Sequence, residues 1–176
     1  YNLPELAQPL NLTGPVLADI YLGKVGTWND PAVAAANPGV ALPDRKIVVV
    51  HRAESSGTTS IFSEYLSKVS DEFKARVGAV KEMKLDTATG QKGSDGVAGF
   101  VKNNAGSIGY VELAYAVSGG LKTVALKNKA GKFVGPAPEG ATAAADAALK
   151  QPKAGEPYTL HDLAYSPTDA DGEGTY

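Results

Sequence analysis

The apolar residues Val16, Leu17, Ile20 and Tyr21 recur at helical spacing between Gly14-Pro15 and Gly23, which predicts a short amphipathic helix stopped by the glycine. Asn29-Asp30-Pro31 then sets a capping side chain directly before a proline suited to a first helical turn, and the alanine-rich run Ala32 to Ala36 continues it until Asn37-Pro38-Gly39. The period changes at Lys46-Ile47-Val48-Val49-Val50, a compact β-branched run that reads as a buried strand. It leads into a polar loop from Arg52 to Ser56. Beyond the loop, Ile61, Phe62, Tyr65, Leu66 and Val69 return to one-and-four spacing, so a helix is expected from about Gly57 to Lys68.

Ser70-Asp71-Glu72 marks a further helix start, whereas Leu85 to Ser94 has turn composition and no period. Asp95 is expected to cap a helix through Val97, Phe100 and Val101. Ser107 to Val111 and Leu121 to Leu126 read as short strands, and Glu139 to Lys150 as an alanine-driven helix. The last stretch, Ser166 to Tyr176, is rich in Asp, Gly, Ser and Thr and predicts a flexible tail. Strands and helices alternate, and 20 glycines and 11 prolines punctuate them, so the expected class is α/β. With 176 residues, 43% of them apolar, a single domain over residues 1 to 165 is the expected organisation.

Charge narrows the range of partners. Net charge is −2, from 17 basic and 19 acidic residues without long runs, so the chain lacks the basic stripe that tracks a nucleic-acid backbone. An anion would have to be held by a local site against a slightly repulsive global field. The absence of cysteine excludes disulfides, thiolate nucleophiles and soft-metal clusters. No stretch approaches the roughly 20 apolar residues of a membrane span. The first residues, Tyr1 to Leu6, have neither the basic nor the apolar region of an export signal, so an exported protein would have had its signal removed.

A strand feeding a helix through small hydroxyl residues and glycine leaves unpaired backbone N–H groups at the helix start, where the helix dipole favours negative charge. In His51-Arg52-Ala53-Glu54-Ser55-Ser56-Gly57-Thr58-Thr59, Gly57 permits close backbone approach and Ser56 and Thr58 can donate hydroxyl hydrogens. The N–H groups of Gly57, Thr58 and Thr59 complete the expected cradle. Arg52 offers a planar fork for two oxygens, with Glu54 placed to brace it from behind. The competing reading makes Ser56 a plain helix cap and Arg52 a surface cation.

The string His51 to Thr59, followed by Ile61 to Lys68, resembles the phosphate-binding proteins of bacterial phosphate ABC importers. Leu17 to Lys24, Trp28 to Pro31, Lys92 to Val97 and Gly106 to Glu112 carry the same resemblance in the same order. It implies a lobe of the periplasmic binding-protein type (type II), a mixed β-sheet flanked by helices. It further implies phosphate contacts from Arg52, Ser56, Gly57 and Thr58, with Glu54 where the family usually has an aspartate that orients the arginine. Trp28 and Tyr110 match family positions read as packing. The implied setting is periplasmic or extracellular, and the implied partners are inorganic phosphate and the membrane permease of an ABC importer, with no cofactor and no metal. The family closes two lobes on the anion, and the other lobe's ligands (a threonine-phenylalanine turn, a serine and an aspartate) have no counterpart here. Residues 1 to 13 are a candidate crossing segment, and Tyr158 to Tyr165 a candidate return toward a missing second lobe.

Two other functions fit parts of this pattern. A lone lobe would be a weak, unselective oxyanion binder or an interaction module. A serine hydrolase would need Ser56 activated by His51, or by His161, the other histidine, and the chain has no Gly-x-Ser-x-Gly elbow. Binding without chemistry is the expectation. The phosphate-binding loop of nucleotide hydrolases is also missing, and Asp169, Asp171 and Glu173 do not form a calcium loop.

Overall fold

Residues 1–140 and 142 are described by the computed structural model, and their elements alternate between strand and helix. In chain order these are β1 (Asn11–Leu12), α1 (Gly14–Tyr21), α2 (Pro31–Ala35), β2 (Val48–Arg52), α3 (Gly57–Val69), α4 (Asp71–Arg76), β3 (Thr89–Gln91), α5 (Gly93–Asn103), β4 (Ser107–Ile108), α6 (Leu113–Gly119), β5 (Ala125–Lys127) and β6 (Phe133–Val134). Side-chain caps start four of the helices. Thr13, Asp30, Ser56 and Ser70 each accept a hydrogen bond from a backbone N–H in the first turn of α1, α2, α3 and α4.

The strands form two three-stranded sheets. One has the order β1-β5-β6 and is mixed, with β1 parallel and β6 antiparallel to β5. The other has the order β3-β2-β4 and is wholly parallel. In it, Val50, His51 and Arg52 lie opposite Thr89, Gly90 and Gln91, while Val48 and Val49 lie opposite Ser107 and Ile108. Because the three strands point the same way, the chain leaves all of them along one edge and enters α3, α5 and α6 there. In open α/β sheets, ligands bind at this carboxyl edge.

Several boundaries differ from the sequence expectation. The strand expected at Lys46–Val50 lies two residues later: Lys46 forms a bridge to Thr27 and Ile47 N–H donates to the Gly26 carbonyl, so sheet pairing begins only at Val48. Arg52 is therefore the last residue of the strand. The period-free stretch Leu85–Ser94 contains β3, whose Thr-Gly-Gln sequence has no apolar alternation and is held as an edge strand by its parallel pairing. Asp95 does not cap α5. The chain turns at Gly93, where φ is +70°, and Asp95 falls in the first turn. Of the stretch Ser107–Val111 only Ser107–Ile108 pairs, and of Leu121–Leu126 only the end does, as part of β5.

One hydrophobic cluster joins the two sheets. Leu10 and Leu12 from the β1 side, Trp28, Val49, Leu66, Phe73 and Ile108 all lie in it, and Tyr1, Leu3 and Leu6 of the candidate crossing segment are packed into it as well. Trp28 is fully buried, and its indole N–H donates to the Gly106 carbonyl at 2.9 Å, so the packing role expected of it holds. Of the helix expected at 139–150, residues 139, 140 and 142 are described and are helical. The remainder of that helix, the segment 158–165, His161 and the expected tail 166–176 lie outside the described residues.

Candidate functional site

The carboxyl edge of the parallel sheet brings together Arg52 from β2, Ser56, Gly57 and Thr58 at the start of α3, Ser94 in the first turn of α5, and Glu112 just before α6. Arg52 is the hub. Its Nε and Nη2 both donate to Glu54 Oε1, at 2.8 and 2.5 Å, and its Nη1 donates to Ser94 Oγ at 3.1 Å. The guanidinium has five N–H groups, so these contacts leave one hydrogen on each terminal nitrogen. Glu54 Oε1 thus holds the Nε–Nη2 edge of the guanidinium. Gly93 N–H also donates to Glu54 Oε1, at 3.0 Å. Hydrogen bonding from Arg52, partly opposed by burial and assisted by Gly93, holds the Glu54 carboxyl below its usual range.

The start of α3 supplies fewer donors than the sequence suggests. Ser56 is buried and its Oγ accepts from Thr59 N–H at 3.3 Å, which leaves the hydroxyl hydrogen for another acceptor. The same bond takes Thr59 N–H out of the cradle, so the N–H groups of Gly57 and Thr58 remain as the unpaired donors of the helix start. A Cβ built on Gly57 meets nothing within 4 Å. Nothing in the protein itself requires a glycine there. Thr58 Oγ1 donates to Glu112 Oε1 at 2.6 Å, so its single hydroxyl hydrogen is already engaged.

Sequence reasoning did not single out Ser94 and Glu112 as site residues, although both lie in segments that carry the family resemblance. Ser94 Oγ accepts from Arg52 and donates to Glu112 Oε2 at 2.5 Å. Burial pushes the Glu112 carboxyl up, but the hydroxyls of Ser94 and Thr58 outweigh it and hold the group below the usual carboxylate range.

Tyr110 has a second role beside packing. Its ring stacks on Phe62 at 4.3 Å between centroids, and Phe62 in turn meets the edge of Tyr21 at 4.8 Å. Its hydroxyl accepts from Arg52 N–H at 3.2 Å and pairs with Thr59 Oγ1 at 2.7 Å, tying the end of β2 to the first turn of α3. Thr59 is 0% exposed, so Tyr110→Phe leaves a buried hydroxyl without its partner and should lower unfolding free energy by about 1–2 kcal/mol in a urea melt. An unchanged midpoint would mean that the tyrosine hydroxyl has no part in holding the loop.

An apolar cleft of about 400 Å³ runs beside the site. It shares Thr58 and Tyr110 with the site, but Arg52, Ser56, Gly57, Ser94 and Glu112 do not line it. His51 Nδ1 lies 2.9 Å from the Arg52 carbonyl, and Ser56 Oγ accepts from Thr59, so the two make no nucleophile–base pair. Among the described residues, no group of three or more His, Cys, Asp or Glu side chains is arranged to hold a metal, and no helix is long and apolar enough to cross a membrane.

The PBP superfamily domain matches residues 1–173. The chain is 54% identical over 145 residues to "Phosphate-binding protein PstS" of Pasteurella multocida, an alignment covering 82% of this chain and 42% of that protein. It is 48% identical over 167 residues to the protein of the same name from Xylella fastidiosa (strain Temecula1), covering 95% of this chain and 44% of the relative. The chain thus spans less than half the length of these curated relatives. Among solved structures, an ABC-type phosphate transport receptor from Vibrio cholerae shares the fold with a TM-score of 0.52 at 21% identity, over 71% of this chain and 43% of that one.

Proposed function

The chain belongs to the PBP superfamily, and from that premise we propose that residues 1–165 form one lobe of a periplasmic phosphate receptor, which binds inorganic phosphate and hands it to the membrane permease of an ABC importer. The observation that carries this reading is the arrangement of Arg52. Glu54 braces one edge of its guanidinium, and a hydrogen on each terminal nitrogen is left at the rim where α3 and α5 begin. A tetrahedral oxyanion seated there takes two oxygens to Arg52, one to the Ser56 hydroxyl and one to the N–H groups of Gly57 and Thr58. Those backbone dipoles add to the attraction.

The relatives named as phosphate-binding proteins support the same ligand. No covalent step and no cofactor enters this function: the site holds donors, not a nucleophile with its base. The lobe supplies about half of an enclosing site, and a second lobe supplies the rest.

Calorimetric titration of the phosphate-stripped chain tests the reading. Phosphate is expected to bind at about −4 to −8 kcal/mol, between roughly millimolar and micromolar. Sulfate is expected to compete, because hydrogen-bond donors alone do not distinguish a protonated oxyanion from an unprotonated one. No heat of binding at phosphate concentrations well above millimolar would refute the assignment.

A further inference from the structure

Glu54 holds the Arg52 guanidinium at a single atom. The bonds from Nε and Nη2 both end on Oε1, so they tether one edge of the group and leave its plane free to pivot about that oxygen. Fixing the plane takes a second point of attachment, and Ser94 provides it at the other end, where Nη1 donates to its Oγ at 3.1 Å. Ser94 is the second residue of α5, a buried position 42 residues further along the chain.

A serine hydroxyl can donate or accept, but a guanidinium has donors only, so Ser94 must face Arg52 with a lone pair. The destination of its one hydrogen holds it to that role, because Ser94 Oγ donates to Glu112 Oε2 at 2.5 Å. The same bond leaves Ser94 no hydrogen for a ligand oxygen. Nor do these two bonds serve its own helix, which starts without a side-chain capping bond.

We propose that Ser94 is a positioning residue for anion binding: it fixes the plane of the Arg52 guanidinium, so that the hydrogens left on both terminal nitrogens meet one ligand together. This rests on reading Arg52 as the phosphate clamp. A guanidinium exceeds an ammonium as an oxyanion ligand because its two parallel N–H bonds match two oxygens, an advantage that is lost when the plane swings. The run of bonds from guanidinium through hydroxyl to carboxylate stiffens the arrangement, since each bond polarises the next.

The experiment is phosphate titration of the parent chain, Ser94→Ala and Ser94→Thr, each repeated with Arg52→Lys in place. Ser94→Ala is expected to raise Kd roughly three- to tenfold, the equivalent of one ordered hydrogen bond lost. Ser94→Thr keeps the hydroxyl and is expected to recover most of that affinity. With Arg52→Lys there is no plane to hold, so Ser94→Ala should then change Kd by less than about twofold. A plain packing role predicts the same loss in both backgrounds.

Nitrogen NMR reads the plane directly, without phosphate. Arg52 Nη1 and Nη2 are expected to give separate signals in the parent and in Ser94→Thr, and a single averaged signal in Ser94→Ala as the guanidinium rotates. Separate signals in Ser94→Ala would mean that Glu54 alone holds the plane, and would overturn the proposal. An unchanged or lower Kd in Ser94→Ala, or equal losses in both backgrounds, also overturns it and leaves the phosphate reading standing. Absence of phosphate binding in the parent refutes the phosphate reading, and the positioning role falls with it.

Discussion

Arg52→Ala is expected to weaken phosphate binding by about 2–3 kcal/mol, roughly a 30- to 160-fold rise in Kd. Only 14% of the arginine side chain is exposed, so its charge is poorly screened where it meets the ligand. The substitution also removes the partner of Glu54, whose Oε1 collects three N–H donors and whose Oε2 is buried with no partner among the described residues. The bare carboxylate would repel the anion and add to the loss. Arg52→Lys should recover only part of it, because an ammonium keeps the charge but cannot hold Glu54, Ser94 and two ligand oxygens in one plane. The measurement is the same phosphate titration. An unchanged Kd in Arg52→Ala would sink the site assignment, and full recovery in Arg52→Lys would mean that charge alone matters.

Gly57→Ala is expected to move stability and affinity in opposite directions. Gly57 is the first residue of α3, its φ is not positive, and an added Cβ meets no atom of the protein. In such a place alanine stabilises a fold by about 0.4–1 kcal/mol, because it has fewer unfolded conformations to lose. The same methyl group would stand between the backbone N–H groups and the anion. Lengthening or breaking those bonds should weaken phosphate binding by about 1–3 kcal/mol. Thermal melts and titrations on one preparation read both effects. If Gly57→Ala binds phosphate as tightly as the parent, the anion does not approach the backbone at the start of α3.

Local features were legible in the sequence where neighbouring residues decide them. The β-branched run before Arg52, the Ser56 cap and the one-and-four spacing after Ile61 place strand, loop and helix together, because each depends on residues a few positions apart. The pairing of Arg52 with Glu54 spans two residues and was legible for the same reason. Glu112 was not, since its bonds to Thr58 and Ser94 cross 54 and 18 residues and exist only because β2, β3 and β4 end along one edge. The strand Thr89–Gln91 escaped notice because pairing partners, not side-chain alternation, hold it extended. The Thr59 N–H illustrates a third limit. The string suggests three backbone donors, but the cap that starts the helix takes one of them.

The braced arginine bears on the timing of disorder and order. A free arginine side chain gives up rotational freedom worth roughly 1.5–2 kcal/mol when it is fixed. Glu54, Ser94 and the Tyr110 hydroxyl on its backbone N–H fix Arg52 through bonds within the protein itself. That entropy is lost as the chain folds, so under the proposed function the arginine would meet phosphate already immobile and the encounter need not slow to arrange it.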